Sequence, residues 1–557
     1  MERLYRSKTF LWSLFLVFCV IWFYTLGART LVPTDEGRYA EMAREMAATG
    51  DWITPRLNAI KYFEKPPLQL WMTALAFKAF GLGEWQARLW TGLCGLLGVV
   101  LVWHAGRRVF DEKTGFTAAL VLGSSFWWAG MGHVNSLDMG LAGMMTLALC
   151  GLLLGQNPIA SARERLRWML LCWAGMALAV MSKGLIGLAL PGAVLVLYTL
   201  LARDWAIWKR LHMGLGLLVF FAITVPWHVL VALQNPEFAE FYFIHEHFNR
   251  FTSKVHNRQG PWHYFIPLLI VGILPWLTVM AQSVWQGWRG ERSGVPASGF
   301  QPRKLLVIWA VFIFVFFSIS NSKLPSYILP IFPALALLIA LYLQHAGRAT
   351  WTVAAVASVV LGGAGAVFAT RLPGLGKNPA EIAQYAAAVT PALIASAILL
   401  VAGAIVLRWL GRQSADLSLR ATLVLAIGGF LAGQMALLGT EEYGRHRAGI
   451  PLLPAIQAEL TPDIIIYSIN MYDQTLPFYL RRTMTLVRHP DELEFGLKQE
   501  PHLWHPVFET FQDIWNHGPK ALVITRPDVV LEFQKRELPF RVVARDARRV
   551  ILANYPR

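Results

Sequence analysis

Apolar segments about as long as a membrane-spanning helix recur along most of the chain. Crossing the hydrocarbon core of a bilayer takes about 20 predominantly apolar residues, and a window of that length finds about 13 such segments before residue 440. They lie at residues 9–26, 85–103, 114–131, 136–154, 168–182, 184–201, 215–233, 262–285, 305–319, 327–343, 351–370, 390–407 and 421–438. The pattern predicts a polytopic α-helical membrane domain over residues 1–439, although the segments 168–182 and 305–319 are short for a span.

Residues 28–84 interrupt this pattern between the first two predicted spans. Residues 33–71 of this loop are dense in acidic and basic side chains, and a polar loop of this kind between spans is typical of a functional site. Residues 35–48 and 68–80 have helical patterning but are too short to cross, which predicts helices lying in the membrane interface. A second large polar loop is predicted at residues 234–261.

Lysine and arginine concentrate in alternate loops, which predicts the topology. The loops near residues 107–113, 163–167, 203–210, 289–304 and 408–420 are basic, as cytoplasmic loops are. The basic start of the chain lacks a small-residue cleavage site, so we expect an uncleaved cytoplasmic N-terminus. An odd number of spans then places the loops at 28–84, 133–138, 234–261 and 320–327, together with everything after residue 440, on the outer side.

Residues 440–557 have a different composition from the rest of the chain. β-rich runs such as DIIIYSI, KALVITRP and RVVARDARRVILANY read as strands of a soluble type. Residues 491–497 and 508–517 have the patterning of helices between them. We therefore predict a small outer α/β domain without a nucleotide-binding glycine pattern.

Composition narrows the class of protein further. Of the 557 residues, 55% are hydrophobic and 15% are charged, whereas soluble domains average about 25% charged residues. The formal charge of +16 is explained better by basic cytoplasmic loops and anionic lipids than by nucleic acid. The four cysteines, at positions 19, 94, 150 and 172, all lie in apolar segments and predict neither a disulfide framework nor a zinc knuckle.

Two acidic residues on the outer side are candidates for chemistry. Asp35 directly follows the first span, where a carboxylate could bind a substrate cation or stabilise positive charge at an anomeric carbon. It could equally belong to the first turn of a helix capped by Thr34. Asp138 starts an apolar helix, where burial is costly unless a partner compensates for it, and this favours a functional role.

Several outer cations have the right chemistry to bind a phosphate. Lys65 precedes Pro66 and Pro67, which hold it out of helical geometry, so it can act as a point charge; an ordinary ion pair with Glu64 is the alternative. Arg250, with His245 nearby, lies in the second loop, and histidines beside carboxylates can ligate a divalent metal. Lys183, Lys323 and Tyr327 lie at outer ends of predicted spans, where snorkelling is the alternative interpretation.

The charges on the outer side argue for a substrate with a lipid tail and a phosphate head. No P-loop is present to supply energy, so the transferred group must arrive activated, and a lipid-linked phosphosugar meets this requirement. A transporter would show repeats and midplane charges instead, and a sensor or structural protein would leave the charged first loop unexplained.

The segments TDEGRYAEMAREM, GDWITPRLNAIKYFEKPPLQLW and SLDMG resemble those of the bacterial relatives of protein mannosyltransferases, which have the GT-C fold. Within that group the whole chain is similar to the lipid A 4-amino-4-deoxy-L-arabinose transferase family. The resemblance covers the first loop, the number of spans and the outer C-terminal domain. It implies a GT-C glycosyltransferase in the bacterial inner membrane, with its active site on the periplasmic side.

The resemblance also implies roles for residues and substrates. It makes Asp35 and Asp138 the catalytic acidic residues, and it makes Glu64 and His245 candidate ligands of a divalent metal such as zinc. The carrier phosphate and sugar would be bound by Lys65, Arg250, Arg38, Tyr39, Tyr62, Lys183, Lys323 and Tyr327. The donor would be an undecaprenyl-phosphate-linked sugar and the acceptor lipid A, conferring polymyxin resistance; the alternative is a transferase that moves another sugar, such as mannose, to protein or another glycan.

Overall fold

The computed structural model describes residues 7–249, 260–290, 299–411, 417–488 and 490–556. These residues form two compact units. The membrane unit comprises Met1–Ala28, Arg88–Leu230 and Phe243–Thr440, and the α/β unit comprises Arg29–Ala87, Val231–Tyr242 and Glu441–Arg557. The first polar loop therefore folds with the C-terminal segment in one unit, whereas the sequence grouped this loop with the membrane domain.

The membrane unit is an assembly of helices. Their bounds are Lys8–Tyr24, Glu84–Val109, Glu112–Ser124, Phe126–Met131, Leu137–Gly155, Ala162–Lys183, Ile186–Ala202, Met213–Gln234, Phe265–Gly272, Leu277–Arg289, Pro302–Ile319, Phe332–Leu343, Arg348–Arg371, Pro379–Leu410 and Leu417–Leu438. A π-helical segment, Glu240–Asn249, follows the helix that ends at Gln234.

Ten helices in the described part of the chain are long and apolar enough to cross a membrane, or 11 if a bent pair counts as one span. The chain is a multi-pass membrane protein, and these helices, with the bent pair counted as one, correspond to 11 of the 13 predicted segments. The bent pair, Trp262–Gly272 with Leu277–Arg289, turns by 112°. Of the two other predicted segments, 184–201 forms the 17-residue helix Ile186–Ala202, and 114–131 breaks at Ser125, whose backbone is extended.

The break at Ser125 has a physical cause that a hydropathy window cannot register. The N–H of the next residue, Phe126, donates to the carbonyl of Leu274, which belongs to a distant segment. The Ser125 hydroxyl donates to the carbonyl of Val121 at 2.7 Å, and so satisfies a group at the helix end. The apolar character therefore continues through the break while the backbone changes direction.

The helices Leu137–Gly155 and Ala162–Lys183 pack as an antiparallel hairpin through small residues. A Cβ atom at Gly175 would lie 2.7 Å from the backbone nitrogen of Ala148, and one at Gly151 would lie 2.9 Å from the carbonyl oxygen of Trp168. Glycine allows two helix backbones to approach this closely. The hairpin brings the start of its first helix, at Asp138, beside the end of its second, at Lys183.

The α/β unit contains a two-stranded hairpin and a six-stranded sheet. The hairpin strands are β1 (Arg56–Leu57) and β2 (Ile60–Lys61), and the sheet strands are β3 (Ile465–Ile469), β4 (Thr485–Val487), β5 (Trp504–His505), β6 (Ala521–Thr525), β7 (Arg541–Arg545) and β8 (Val550–Ala553). The sheet order is β5-β4-β3-β6-β8-β7. The pairs from β5 to β6 are parallel, and β8 is antiparallel to both β6 and β7.

Helices cover both faces of this sheet, so the predicted α/β domain is confirmed. The helices of the unit are Asp35–Thr49, Leu68–Phe80, Glu441–Ala448, Leu453–Glu459, Leu476–Leu480, Glu494–Gln499, Phe508–His517 and Val530–Lys535. One hydrophobic core contains Phe511, Trp515 and Phe533, and another contains Ile456 and Leu476. The predicted helices at 35–48, 68–80 and 508–517 are present at these positions.

Candidate functional site

The candidate residues fall into two groups, one in each unit. The first group surrounds the start of the helix Asp35–Thr49. Arg38 is at its centre: its side chain is only 8% exposed, its Nη2 atom lies 2.9 Å from Glu492 Oε2 and its Nη1 atom lies 3.8 Å from Asp35 Oδ1. Nη1 also donates to the Tyr62 hydroxyl at 3.3 Å. We call Asp35, Arg38, Tyr62 and Glu492 the loop cluster.

The loop cluster has one open acidic group. The Asp35 side chain is 43% exposed, whereas Arg38 is enclosed and its Nε atom has no hydrogen-bond partner among the described residues. A buried donor without a partner costs free energy, and is a feature of sites that bind an acceptor such as a phosphate oxygen. The cluster therefore offers a carboxylate at the surface and a guanidinium donor beneath it.

Of the three predicted tyrosines, Tyr39 and Tyr62 are buried, and burial keeps them neutral. Burial raises the pKa of Tyr39, and the nearby Asp35 carboxylate raises it further. Burial also raises the pKa of Tyr62, with a further contribution from Glu64. A phenol that stays protonated can donate a hydrogen bond to a substrate oxygen.

Glu492 is the member of the loop cluster that sequence reasoning missed. Besides the pair with Arg38, its Oε1 atom accepts a hydrogen bond from Gln474 Nε2 at 2.7 Å. It lies in the short 3-10 helix Asp491–Leu493 of the C-terminal segment, in a stretch with several other charged residues. No local pattern distinguishes it from those neighbours, because its partner lies in the first loop.

Glu64 and Lys65 follow Tyr62 closely in the chain. Lys65 Nζ donates to the carbonyl of its neighbour Glu64 at 2.8 Å, and the next helix begins only at Leu68, after Pro67. The two prolines thus hold Lys65 outside the helix, as the sequence predicted. Its role in binding phosphate stays a prediction.

A backbone clamp fixes the hairpin that leads into Tyr62. The carboxylate of Glu45 accepts hydrogen bonds from the backbone N–H groups of Asn58 at 2.6 Å and Ala59 at 2.7 Å. The Asn58 side chain in turn pairs with the backbone of Met484 at 2.6 and 2.7 Å. Asn58 and Ala59 have φ values of 58° and 61°, which side chains rarely adopt without such support.

The burial of Glu45 predicts a pH dependence of stability, although its two backbone hydrogen bonds oppose the shift. Burial and the nearby Glu41 carboxylate raise the pKa of Glu45 from 4.5 to about 8. Because the pKa of Glu45 is higher in the folded state, its net contribution to stability is greatest below about pH 4.5 and is lost as the pH rises through about 8. We expect the free energy of unfolding to fall as the pH rises from about 5 to about 9.

The measurement is the thermal unfolding midpoint of the full chain in detergent across this pH range. Glu45→Gln keeps the shape of the side chain and removes its titration. The decrease of the midpoint with rising pH should therefore be smaller in this variant than in the wild type. An equal dependence of the midpoint on pH in the two proteins would contradict the raised pKa of Glu45.

The second group lies in the membrane unit at the start of the helix Leu137–Gly155. Asp138 pairs with Lys183 Nζ, and their side chains are 7% and 14% exposed. Asp138 also accepts a hydrogen bond from Ser326 Oγ at 2.9 Å. Lys183 Nζ lies 4.5 Å from the ring centre of Tyr327, a cation–π distance. We call Asp138, Lys183, Ser326 and Tyr327 the membrane cluster.

Lys323 has a different environment from the membrane cluster. Its Nζ atom donates to the carbonyls of Phe317, Ser318 and Ser320 at 3.2, 2.8 and 2.8 Å. These carbonyls close the helix Pro302–Ile319, and a cation at a helix C-terminus is stabilised by the helix dipole. Burial lowers the pKa of Lys323. This geometry favours a capping role, while substrate binding by Lys323 stays a prediction.

Two predicted residues cannot be placed. Arg250 lies outside the described residues, as does the side chain of His245. Within the described part of the chain, no group of three or more His, Cys, Asp or Glu side chains is placed to hold a metal ion. The described residues alone therefore do not supply a ligand set for the predicted site at Glu64 and His245, and the metal stays a prediction.

The helical membrane unit and the α/β unit built from the first loop and the C-terminal segment have the GT-C fold of membrane glycosyltransferases. Family models match in two places: the dolichyl-phosphate-mannose-protein mannosyltransferase model at residues 64–229 and the aminoarabinose transferase C-terminal domain model at residues 452–554. The chain is also similar to the crystal structure of ArnT from Cupriavidus metallidurans bound to undecaprenyl phosphate. The two share 42% identity over 99% of both chains, with a TM-score of 0.92. The chain belongs to the aminoarabinose transferase family.

Two further similarities, one to a structure and one to a sequence, support the same family. The apo form of the same Cupriavidus protein matches with 41% identity and a TM-score of 0.91, again over 99% of both chains. An undecaprenyl phosphate-alpha-4-amino-4-deoxy-L-arabinose arabinosyl transferase from Edwardsiella ictaluri is 34% identical over 60% of this chain. That match spans 59% of the length of the Edwardsiella relative.

Proposed function

We propose that the protein transfers 4-amino-4-deoxy-L-arabinose from undecaprenyl phosphate to a phosphate of lipid A. The observation that carries the proposal is the full-length similarity to ArnT bound to undecaprenyl phosphate, at 42% identity. Adding a cationic sugar to an anionic lipid lowers its attraction for polymyxin and cationic peptides. The same charge pattern that predicts the topology supports an active site on the periplasmic face of the inner membrane.

The reaction exchanges one glycosyl phosphate bond for another. The bond between the anomeric carbon and the carrier phosphate breaks, an oxygen of the lipid A phosphate forms the new bond, and undecaprenyl phosphate leaves. The acceptor oxygen is already ionised near neutral pH, since the second phosphate pKa is about 6. The acceptor therefore needs alignment and relief of repulsion between two anions rather than a general base.

The loop cluster has groups that suit both ends of this donor. Asp35, in the first turn and 43% exposed, can attract the cationic amino group of the sugar or stabilise an oxocarbenium-like charge. Arg38 offers the unpartnered Nε donor, and Lys65 adds a point charge for a phosphate. Tyr62, kept neutral by burial, can donate to a sugar or phosphate oxygen.

The membrane cluster has a different use. Its lysine and aspartate neutralise each other, so the pair has little net charge to offer an anion. Lys183 is also directed at the face of the Tyr327 ring. We assign the cluster to the function as a positioning element, which the paired variants in the Discussion test.

The proposal is tested by mass spectrometry of lipid A. A polymyxin-sensitive strain that makes the donor but lacks its own transferase should gain aminoarabinose on lipid A when it expresses this chain. Expression of Asp35→Asn at the same membrane level should leave lipid A unmodified. The match of residues 64–229 to a protein mannosyltransferase model favours one alternative: unmodified lipid A together with newly glycosylated proteins would replace the proposal by protein glycosylation.

A further inference from the structure

The membrane unit contains a polar cavity that is lined by no residue of either cluster. Its volume is about 360 Å³, and its walls come from the end of the helix Glu84–Val109 and the start of the helix Ala162–Lys183. Three arginines, Arg107, Arg108 and Arg167, line it together with one acid, Glu164. The cavity therefore has a formal charge of about +2 if its histidine is neutral.

One of the three arginines is neutralised within the protein. Arg108 Nη2 lies 2.8 Å from Glu164 Oε1. Glu164 is held in place by a capping box with Ser161 at the start of its helix. This pair joins the two helices and forms one wall of the cavity.

The other two arginines keep their hydrogen-bonding capacity. Among the described residues, neither Arg107 nor Arg167 makes a hydrogen bond or an ion pair at contact distance. The guanidinium of Arg107 lies 5.1 Å from the ring centre of Trp103, a contact that restricts its orientation without using its donors. Two guanidinium groups with unused donors, one of them oriented by a tryptophan ring, are suited to the oxygens of a phosphate.

The remaining wall of the cavity is apolar and leads toward lipid. The ring of Trp168 packs against His104 with their centres 5.3 Å apart, and Leu171 on the next turn is exposed. Both helices are long and apolar enough to cross a membrane, so an exposed leucine on them faces acyl chains. A ligand in the cavity can thus have an anionic head on the arginines and a hydrocarbon tail along this face.

We propose that this cavity binds the headgroup phosphate of an anionic phospholipid. The volume suits a headgroup rather than a whole lipid, whose chains stay in the bilayer beside Leu171. The basic loops at this end predict the cytoplasmic side, where anionic lipids attract basic pockets between transmembrane helices. The inference is independent of the proposed transfer reaction, which concerns other residues.

The test measures lipid binding to the full-length protein. Native mass spectrometry counts phosphatidylglycerol molecules that the detergent-purified protein retains, with phosphatidylcholine as the neutral reference. Arg107→Gln and Arg167→Gln should each weaken phosphatidylglycerol binding roughly fivefold. Both leave the Arg108–Glu164 pair intact, so a folded protein is expected, and the thermal midpoint without lipid checks this.

Arg163→Gln is the matched control. Arg163 lies in the first turn of the same helix, is exposed, and does not line the cavity, so the variant makes the same charge change nearby. It should bind phosphatidylglycerol as the unmodified protein does. Equal weakening by Arg163→Gln would overturn the proposal in favour of diffuse charge attraction. A thermal shift with inorganic phosphate as large as that with phosphatidylglycerol would overturn it in favour of a soluble anion.

Discussion

Asp35→Asn is expected to lower kcat by about 10²- to 10³-fold, the usual cost of removing one electrostatic contact to a transition state. The protein should stay folded, because the Asp35 side chain is 43% exposed and contributes little to packing. The wild-type kcat should show no solvent deuterium isotope effect under conditions where chemistry limits the rate. An ionised phosphate acceptor transfers no proton in that step.

The control for this variant is Asp528→Asn. Asp528 is an exposed aspartate of the same unit, with Arg526 as its partner at 3.5 Å, and its loss should leave kcat unchanged. A clear isotope effect in the wild type that disappears in Asp35→Asn would make Asp35 a general base. That result would favour a hydroxyl acceptor and, with it, the protein-glycosylating alternative.

Breaking the pair of Asp138 and Lys183 should have the largest effect on stability. Lys183→Gln leaves the Asp138 carboxylate buried without its counter-charge, and removing one partner of a buried ion pair costs about 3–5 kcal/mol. Asp138→Asn removes the charged partner that Lys183 has in this pair. We expect each single variant to lower the thermal midpoint of the purified protein strongly and to abolish activity.

The double variant Asp138→Asn/Lys183→Gln separates a structural role from a functional one. Removing both charges removes the uncompensated burial, so most of the lost stability should return. Activity should stay low if the charged pair positions groups for the reaction. Recovery of activity along with stability would show that the pair only anchors the two helices.

A surface lysine provides the comparison for these variants. Lys498 pairs with Glu494 at 2.6 Å, and both side chains are more than half exposed. Exposed pairs contribute at most about 1 kcal/mol, so Lys498→Gln should shift the midpoint little. A Lys183→Gln protein as stable as Lys498→Gln would contradict the burial argument.

The sequence predicted secondary structure correctly where a local signal, such as a proline before a helix or an apolar helix face, is sufficient to define the element. The helix Leu68–Phe80 begins after two prolines and ends at Gly81, and Phe508–His517 has an apolar face that enters a hydrophobic core. Hydropathy likewise located each helix of the described residues that is long and apolar enough to cross a membrane, because lipid requires a long apolar run for each span. The charged loop at 33–71 and the acids Asp35 and Asp138 could also be found from the sequence, because polar residues stand out in an apolar chain.

What the sequence alone determined is therefore the class of protein and its charged segments; the tertiary structure decided which residues meet. Only the fold pairs Arg38 with Glu492 and Asp138 with both Lys183 and Ser326. It also directs Lys323 to helix carbonyls and ends a helix at Ser125 within an apolar run. Hydropathy sums local side-chain character, whereas these contacts depend on hydrogen-bond partners and charges supplied by segments far away in the chain.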